Sequence, residues 1–400
     1  MALLSRPLSR RHTLLGLATC ASLGRTHLAM AAAPTERRLV VVILRGALDG
    51  MATVVPYGDP ALAGLRGAIL PPPPNQPDGL LDLGGFYGLH PALTGLYEMY
   101  KAGQATLVHA VAGCYRVRSH FEAQDYLESG ADHRMTSGWL NRTVAGLPGA
   151  RSGGPEGDAV AIGVSVPLLL RGPAQVANWA PHGFAQPDAA LYGRIAALNA
   201  HDPVTGPAIA EGLRARGFSA GMMAADAEEP KGRNAFPALA RAAGEMLRAP
   251  DGPRIAALEL GGWDTHTAQV NRLPGPLRQL DAGMTALKAA LGPAWAATAV
   301  LVMTEFGRTA RVNGTGGTDH GTATVALLLG GAIAGGSVRA TWPGLRDRQL
   351  FENRDLAPTA DLRSVAKGIL AAHLNLDAQA LAQVFPGSTD AEPMGGLIRA

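Results

Sequence analysis

Leu39-Val40-Val41-Val42-Ile43-Leu44 is an apolar run with no polar interruption, and it leads straight into Arg45-Gly46-Ala47-Leu48-Asp49-Gly50. A strand with one face in water alternates, whereas a strand covered on both faces does not. The same continuous pattern recurs at Ala105–Ala110, Ala159–Gly163, Ile255–Leu260, Thr298–Met303 and Val325–Leu329. Between these runs lie helix-like stretches at Pro91–Lys101, Phe121–Ser129, Phe236–Ala249, Leu277–Leu291 and Asp361–Leu374. Strands alternating with helices predict an α/β fold, a doubly wound and mostly parallel sheet sandwiched by helices.

Composition supports a packed chain. Hydrophobic residues make up 47% of the 400 positions and charged residues 17%, enough for a sizeable core and unlike a disordered sequence. We read one globular unit from 36 to 386, with surface excursions at Pro71–Pro74 and around 146–157. Residues 172–234 are weakly periodic and rich in Gly and Pro, which predicts an insertion or cap.

The first 31 residues carry Arg6, Arg10, Arg11 and Arg25 and no acid. Arg10-Arg11 runs into the modestly apolar Leu14–Cys20, and Ala29-Met30-Ala31 follows. That order predicts a twin-arginine export signal, removed on the way to the periplasm or exterior, with the twin-arginine machinery as partner. Arg25 and His27 interrupt the apolar run, so no stable membrane anchor is expected. Without the leader the formal charge of +3 becomes −1, which leaves no basic field for nucleic acid. Cys20 leaves with the leader, so Cys114 has no partner for a disulfide and is expected to be a packing residue.

Polar side chains gather just beyond the apolar runs. Asp49 follows the first, Arg118-Ser119-His120 the second, Asp264 and His266 the run ending at Leu260, and Glu305 and Arg308 the run ending at Met303. In open α/β sheets ligands bind beyond the carboxyl ends of the strands, so four distant segments are expected at one edge. Asp264 and His266, two apart, share a side if extended and could reach one ion. Asp319-His320 sits in a glycine-rich loop before a buried strand, with His320 expected as a direct ligand and Asp319 as ligand or orienter. Carboxylate and imidazole suit zinc first; calcium, magnesium and manganese are alternatives. Ser119 precedes a helix, either as an N-cap paired with Glu122 or as a metal-activated nucleophile, with Arg118 and the helix terminus gripping an oxyanion. The sequence has no P-loop, no dinucleotide glycine motif after the first strand and no nucleophile elbow.

The stretches LVVVILRGALDGMATVVPYGDPAL, FYGLHPAL, RSHFEAQDYLESG, LGGWDTH, TEFGRTARVNGTGGTDHGTA and TWPGL together resemble the exported bacterial family catalogued as domain of unknown function 1501. That family is grouped with the alkaline-phosphatase-like superfamily, which includes sulfatases and phosphodiesterases. The resemblance implies a two-metal site for oxyanion esters on a doubly wound sheet. It implies Asp49 as a first-strand metal ligand beside a Ser119 nucleophile, and Asp264, His266 and His320 as ligands of the other metal. Glu305 takes the place of an Asp in the superfamily's Asp–His pair, Phe306 replaces the His, and His120 is the available substitute. Arg118 and Arg308 are the expected anion-binding residues. The leading expectation is an exported metal-dependent hydrolase of small or polymer-linked phosphate or sulfate esters. The alternatives are a non-catalytic metal-binding envelope protein and an exported binding protein for an anionic ligand.

Overall fold

The structure, a computed structural model, describes residues 36–147, 158–180, 235–250 and 252–399. The leader, the stretch 148–157 and the larger part of the expected cap, 181–234, lie outside the described residues. Among the described residues twelve strands run in chain order: β1 (Arg38–Leu44), β2 (Val54–Val55), β3 (Leu81–Asp82), β4 (Gly88–Leu89), β5 (Ala105–Ala112), β6 (Ala159–Ile162), β7 (Ala177–Trp179), β8 (Ile255–Leu260), β9 (Thr298–Thr304), β10 (Thr324–Leu329), β11 (Ser337–Arg339) and β12 (Ala360–Asp361). The main helices are α1 (Thr94–Lys101), α2 (His120–Ser129), α3 (Trp139–Gly146), α4 (Ala235–Arg248), α5 (Pro274–Leu291), α6 (Leu362–Leu374) and α7 (Ala378–Val384).

The central sheet has the order β11-β5-β10-β9-β1-β8-β6-β7, with β12 beside β5, and β2–β4 form a small separate sheet. Every strand of the central sheet runs parallel to β1 except β10, which is antiparallel to both β9 and β5. The fold is therefore the expected helix-sandwiched, mostly parallel sheet. The reversal of β10 has a simple cause. The connection 305–323 leaves β9 at its carboxyl edge and returns at that same edge, so the strand entering there must run backward. The expected cap range also begins inside the sheet, because Ala177–Trp179 is its edge strand.

All seven residues of β1 are buried. Val40, Val42 and Leu44 face one apolar layer with α1, α4 and α5, while Leu39, Val41 and Ile43 face another with α2, α3, α6 and α7. The two-residue period thus feeds both cores, and the continuous apolar run is what such a strand requires. Gly244 of α4 lets α5 approach closely, since a Cβ there would lie 2.6 Å from that of Ala290. Among the described residues no helix is long and apolar enough to cross a membrane.

Candidate metal centre

Three connections at one edge of the sheet build the site. From β5 the chain reaches Arg118, which holds a left-handed backbone (φ 64°), and then Ser119 and His120 at the start of α2. From β8 it reaches Asp264 and His266, and from β9 Glu305 and Arg308. The loop returning to β10 carries Asp319 and His320. Its glycines set the spacing. A Cβ at Gly317 would lie 2.3 Å from the His266 carbonyl, and one at Gly321 would lie 2.3 Å from Arg308 backbone. Only glycine lets these segments touch.

Ring nitrogens and one carboxylate oxygen converge. His120, Asp264 and His320 offer ligand atoms within 4.8 Å of one another. His320 Nε2 lies 2.9 Å from His120 Nε2 and 3.0 Å from His266 Nε2. Asp264 Oδ1 is 3.0 Å from His266 Nε2, 3.4 Å from His320 Nε2 and 3.7 Å from His120 Nε2.

The outer nitrogens fix the tautomers. His120 Nδ1 donates to Glu305 Oε1 at 2.7 Å, His266 Nδ1 to Asp319 Oδ1 at 3.2 Å, and His320 Nδ1 to the Arg118 carbonyl at 3.1 Å. A neutral imidazole that donates at Nδ1 bears a lone pair at Nε2. Three lone pairs and a carboxylate oxygen therefore point at one another with no proton between them, an arrangement that repels unless a cation sits among them. Burial and the nearby charge of Arg308 push the His320 pKa down, which keeps that ring neutral. The spacings among His120, Asp264 and His320, 2.9, 3.4 and 3.7 Å, bracket the separation of about 3.3 Å between neighbouring ligands of a tetrahedral zinc with bonds near 2.0–2.1 Å, while His266 Nε2 approaches Asp264 and His320 alone.

The supporting carboxylates are built to stay ionised. Burial would raise the Glu305 carboxyl, but hydrogen bonds led by that from His120, with Gln124 and Thr304 also contributing, hold it below the usual range. Gly46 N–H and Gln124 Nε2 donate to its Oε1, and Thr304 donates to its Oε2. Hydrogen bonding from Asn313, then from His266, lowers the Asp319 carboxyl against its own partial burial. Burial works against ionisation of Asp264 as well, yet the Arg308 hydrogen bond and charge keep its pKa low. The site is open to solvent: the Asp264 side chain is 48% exposed and that of His266 39%. The far side is apolar, with the buried Phe306 ring 4.8 Å from His120 and 5.1 Å from His320, centroid to centroid.

Of the residues expected at the metal, His120, Asp264, His266 and His320 are brought together. Glu305 and Asp319 hold the outer nitrogens of two of these rings instead of facing the cluster. Asp49 is a correction. Its carboxylate is fully buried, paired with Arg66 Nη1 at 2.7 and 2.8 Å, and accepts from Gln269 Nε2 and Ala52 N–H. Its acceptor capacity is spent on those donors, so it is not available to an ion. Arg118 and Arg308 are corrections to the expected anion grip. Arg118 is tied to Asp355 and Glu352. Arg308 is buried and donates to the carbonyls of Gly46, Ala47, Trp263 and Thr318 as well as to Asp264. Both guanidiniums fasten the segments that carry the ligands.

Ser119 is the N-cap residue of α2, but its side chain makes no capping bond, and the box with Glu122 does not form. Glu122 accepts from the Tyr115 phenol instead, and the Ser119 hydroxyl also interacts with Tyr115. Cys114 is half-buried and hydrogen-bonds the Ala131 carbonyl. Sequence reasoning missed Gln124, Asn313, Arg66 and Gln269. Only Gln124 left a signal, since it lies four residues after His120 and so on the same helix face.

The family model described as "Protein of unknown function (DUF1501)" matches residues 112–385, and the chain belongs to that family. Among solved structures the chain is similar to Ps i-CgsB in complex with k-i-k-neocarrahexaose, at 9% identity over 90% of this chain and 77% of that one, with a TM-score of 0.41. It is also similar to BT1596, a 2-O GAG sulfatase, at 12% identity over 74% of this chain and 65% of that one, with a TM-score of 0.37. No curated protein matches the sequence.

Proposed function

Taking membership of this family as premise, we propose that the protein is an exported metal-dependent hydrolase of phosphate or sulfate esters with a single divalent ion, zinc first, held by His120, His266, His320 and Asp264. The observation that carries this reading is the meeting of three Nε2 lone pairs and Asp264 Oδ1 with all three outer nitrogens engaged. Such outer partners set ring orientation and tautomer at metal-binding histidines. A bound divalent ion supplies Lewis acidity toward an ester oxygen and a nearby hydroxyl. Ser119 is the nucleophile in this reading: it adjoins a ligand, is released from capping, and stands at the positive end of the ten-residue α2. Glu305 and Asp319 hold the rings in the ligating tautomer, and Phe306 keeps water from one side of the cluster. Asp49 is engaged elsewhere, so a second metal has no first-strand carboxylate, and the reading is a one-metal one.

A second reading is favoured by the two arginines. With Arg118 and Arg308 both committed to ion pairs and carbonyls, neither of these two guanidiniums is free to grip an anion, as a non-catalytic metal-binding envelope protein would allow. A panel of aryl phosphates, aryl sulfates and phosphodiesters on wild type and Ser119→Ala separates the two. Turnover lost with the hydroxyl supports the hydrolase. Bound metal without turnover in either protein supports the envelope role. Export rests on the twin-arginine leader, and the metal would be loaded before translocation; fractionation of cells expressing the full chain and an Arg10→Lys, Arg11→Lys variant tests it.

A further inference from the structure

Asp355 lies between β11 and β12, outside the three connections that carry the ligands. Its side chain is fully buried, yet it touches two of those connections. Arg118, two residues before His120, donates from Nε to Asp355 Oδ2 at 2.9 Å, with its Nη2 2.8 Å from the same oxygen. Thr322, two residues after His320, donates to that oxygen from Oγ1 at 2.9 Å. A tight turn delivers the carboxylate. Phe351 and Asp355 exchange backbone hydrogen bonds at 2.9 and 3.0 Å, and Glu352 and Asn353 between them are both left-handed (φ 53° and 55°). Glu352 adds a second carboxylate on Arg118 Nη2. The backbone of Arg118 is left-handed too, and its carbonyl is the group that accepts from His320 Nδ1 at 3.1 Å. A residue with a Cβ is strained in that region and stays there only where its surroundings hold it.

We propose that Asp355 is a positioning residue of the metal centre and that it acts through the main chain of Arg118. By gripping the guanidinium it holds Arg118 in the left-handed conformation that aims the carbonyl at the outer nitrogen of His320. Through Thr322 it fixes the chain on the other side of the same ligand. His320 is thereby kept in the tautomer whose Nε2 lone pair faces the cluster. The inference deepens the metal-dependent reading and rests on it. What matters at position 118 is a backbone carbonyl, which glycine presents equally well and without strain.

Zinc titration of the metal-stripped protein, by competition with a chelating dye, tests this on Arg118→Ala, Arg118→Gly and Asp355→Asn. When Arg118 is replaced, Asp355 keeps Thr322 and also Arg354 Nη1, at 3.1 and 3.3 Å from its two oxygens, so neither Arg118 variant strands a buried charge. Arg118→Ala and Asp355→Asn are each expected to weaken zinc about 10- to 100-fold, while Arg118→Gly keeps most of the wild-type affinity. The spectroscopic counterpart is the His320 Nδ1–H proton resonance of the zinc-loaded protein, present in wild type and Arg118→Gly and lost in Arg118→Ala. Equal losses of affinity in the alanine and glycine variants, or wild-type affinity in Arg118→Ala, overturn the positioning role while leaving the metal centre standing. A wild-type protein that takes up no zinc overturns the metal reading itself.

Discussion

His320 has both ring nitrogens committed, one to a carbonyl and the other to a cluster of lone pairs, and it defines what a single residue contributes here. His320→Ala is expected to abolish metal binding in a chain that still folds, read as metal per folded protein. Glu305→Gln keeps the shape but offers His120 Nδ1 a weaker partner; metal affinity should fall about 10- to 100-fold, measured by competition with a chelating dye. Asp49 belongs to a different class. It pairs with Arg66 where neither side chain is exposed, and removing one partner leaves an uncompensated buried charge. Asp49→Ala should cost about 3–5 kcal/mol in denaturant unfolding while metal per folded chain stays unchanged. The two behaviours could not be told apart from the sequence. Arg66 and Gln269 lie 17 and 220 positions from Asp49, and no local pattern announces a pairing of that kind.

At the scale of elements, the loop 313–321 is held by glycines pressed on neighbouring backbone. Gly317→Ala should displace that loop from His266, weaken metal binding and lower the melting temperature, checked by metal titration and calorimetry on one sample. β5 carries a second device. His109 is fully buried; its Nδ1 accepts from Ala110 N–H and its Nε2 donates to the Val54 carbonyl, so a further proton would break a bond. Burial drops its pKa to about 4. Because the unfolded chain keeps a histidine value near 6.5, it takes up the proton first on acidification. The contribution is complete above about pH 6.5 and shrinks by about 3 kcal/mol as pH falls to 4. His109→Gln should flatten that part of the stability profile. Strand positions were readable because doubly covered strands are continuously apolar, as at Leu39–Leu44. The reversal of β10 was not, since a two-residue period carries no direction, and α3 was too short and mixed to stand out between turns.

Across the whole molecule, two apolar layers fix the sheet and leave its carboxyl edge to gather His120, Asp264, His266, Glu305 and His320 from three connections far apart in sequence. That gathering was legible because each polar group flanks an apolar run, His320 before one and the others after. The division of labour among those groups was not, because which carboxylate meets the cluster and which meets an outer nitrogen depends on loop geometry. A metal held where three connections meet would add to global stability by mass action. Chelation should therefore lower the melting temperature of the wild type and leave that of His320→Ala unmoved. The most direct test is elemental analysis of the folded protein purified without added metal. The account predicts about one equivalent of divalent metal per chain, and a fully folded chain with none would contradict it.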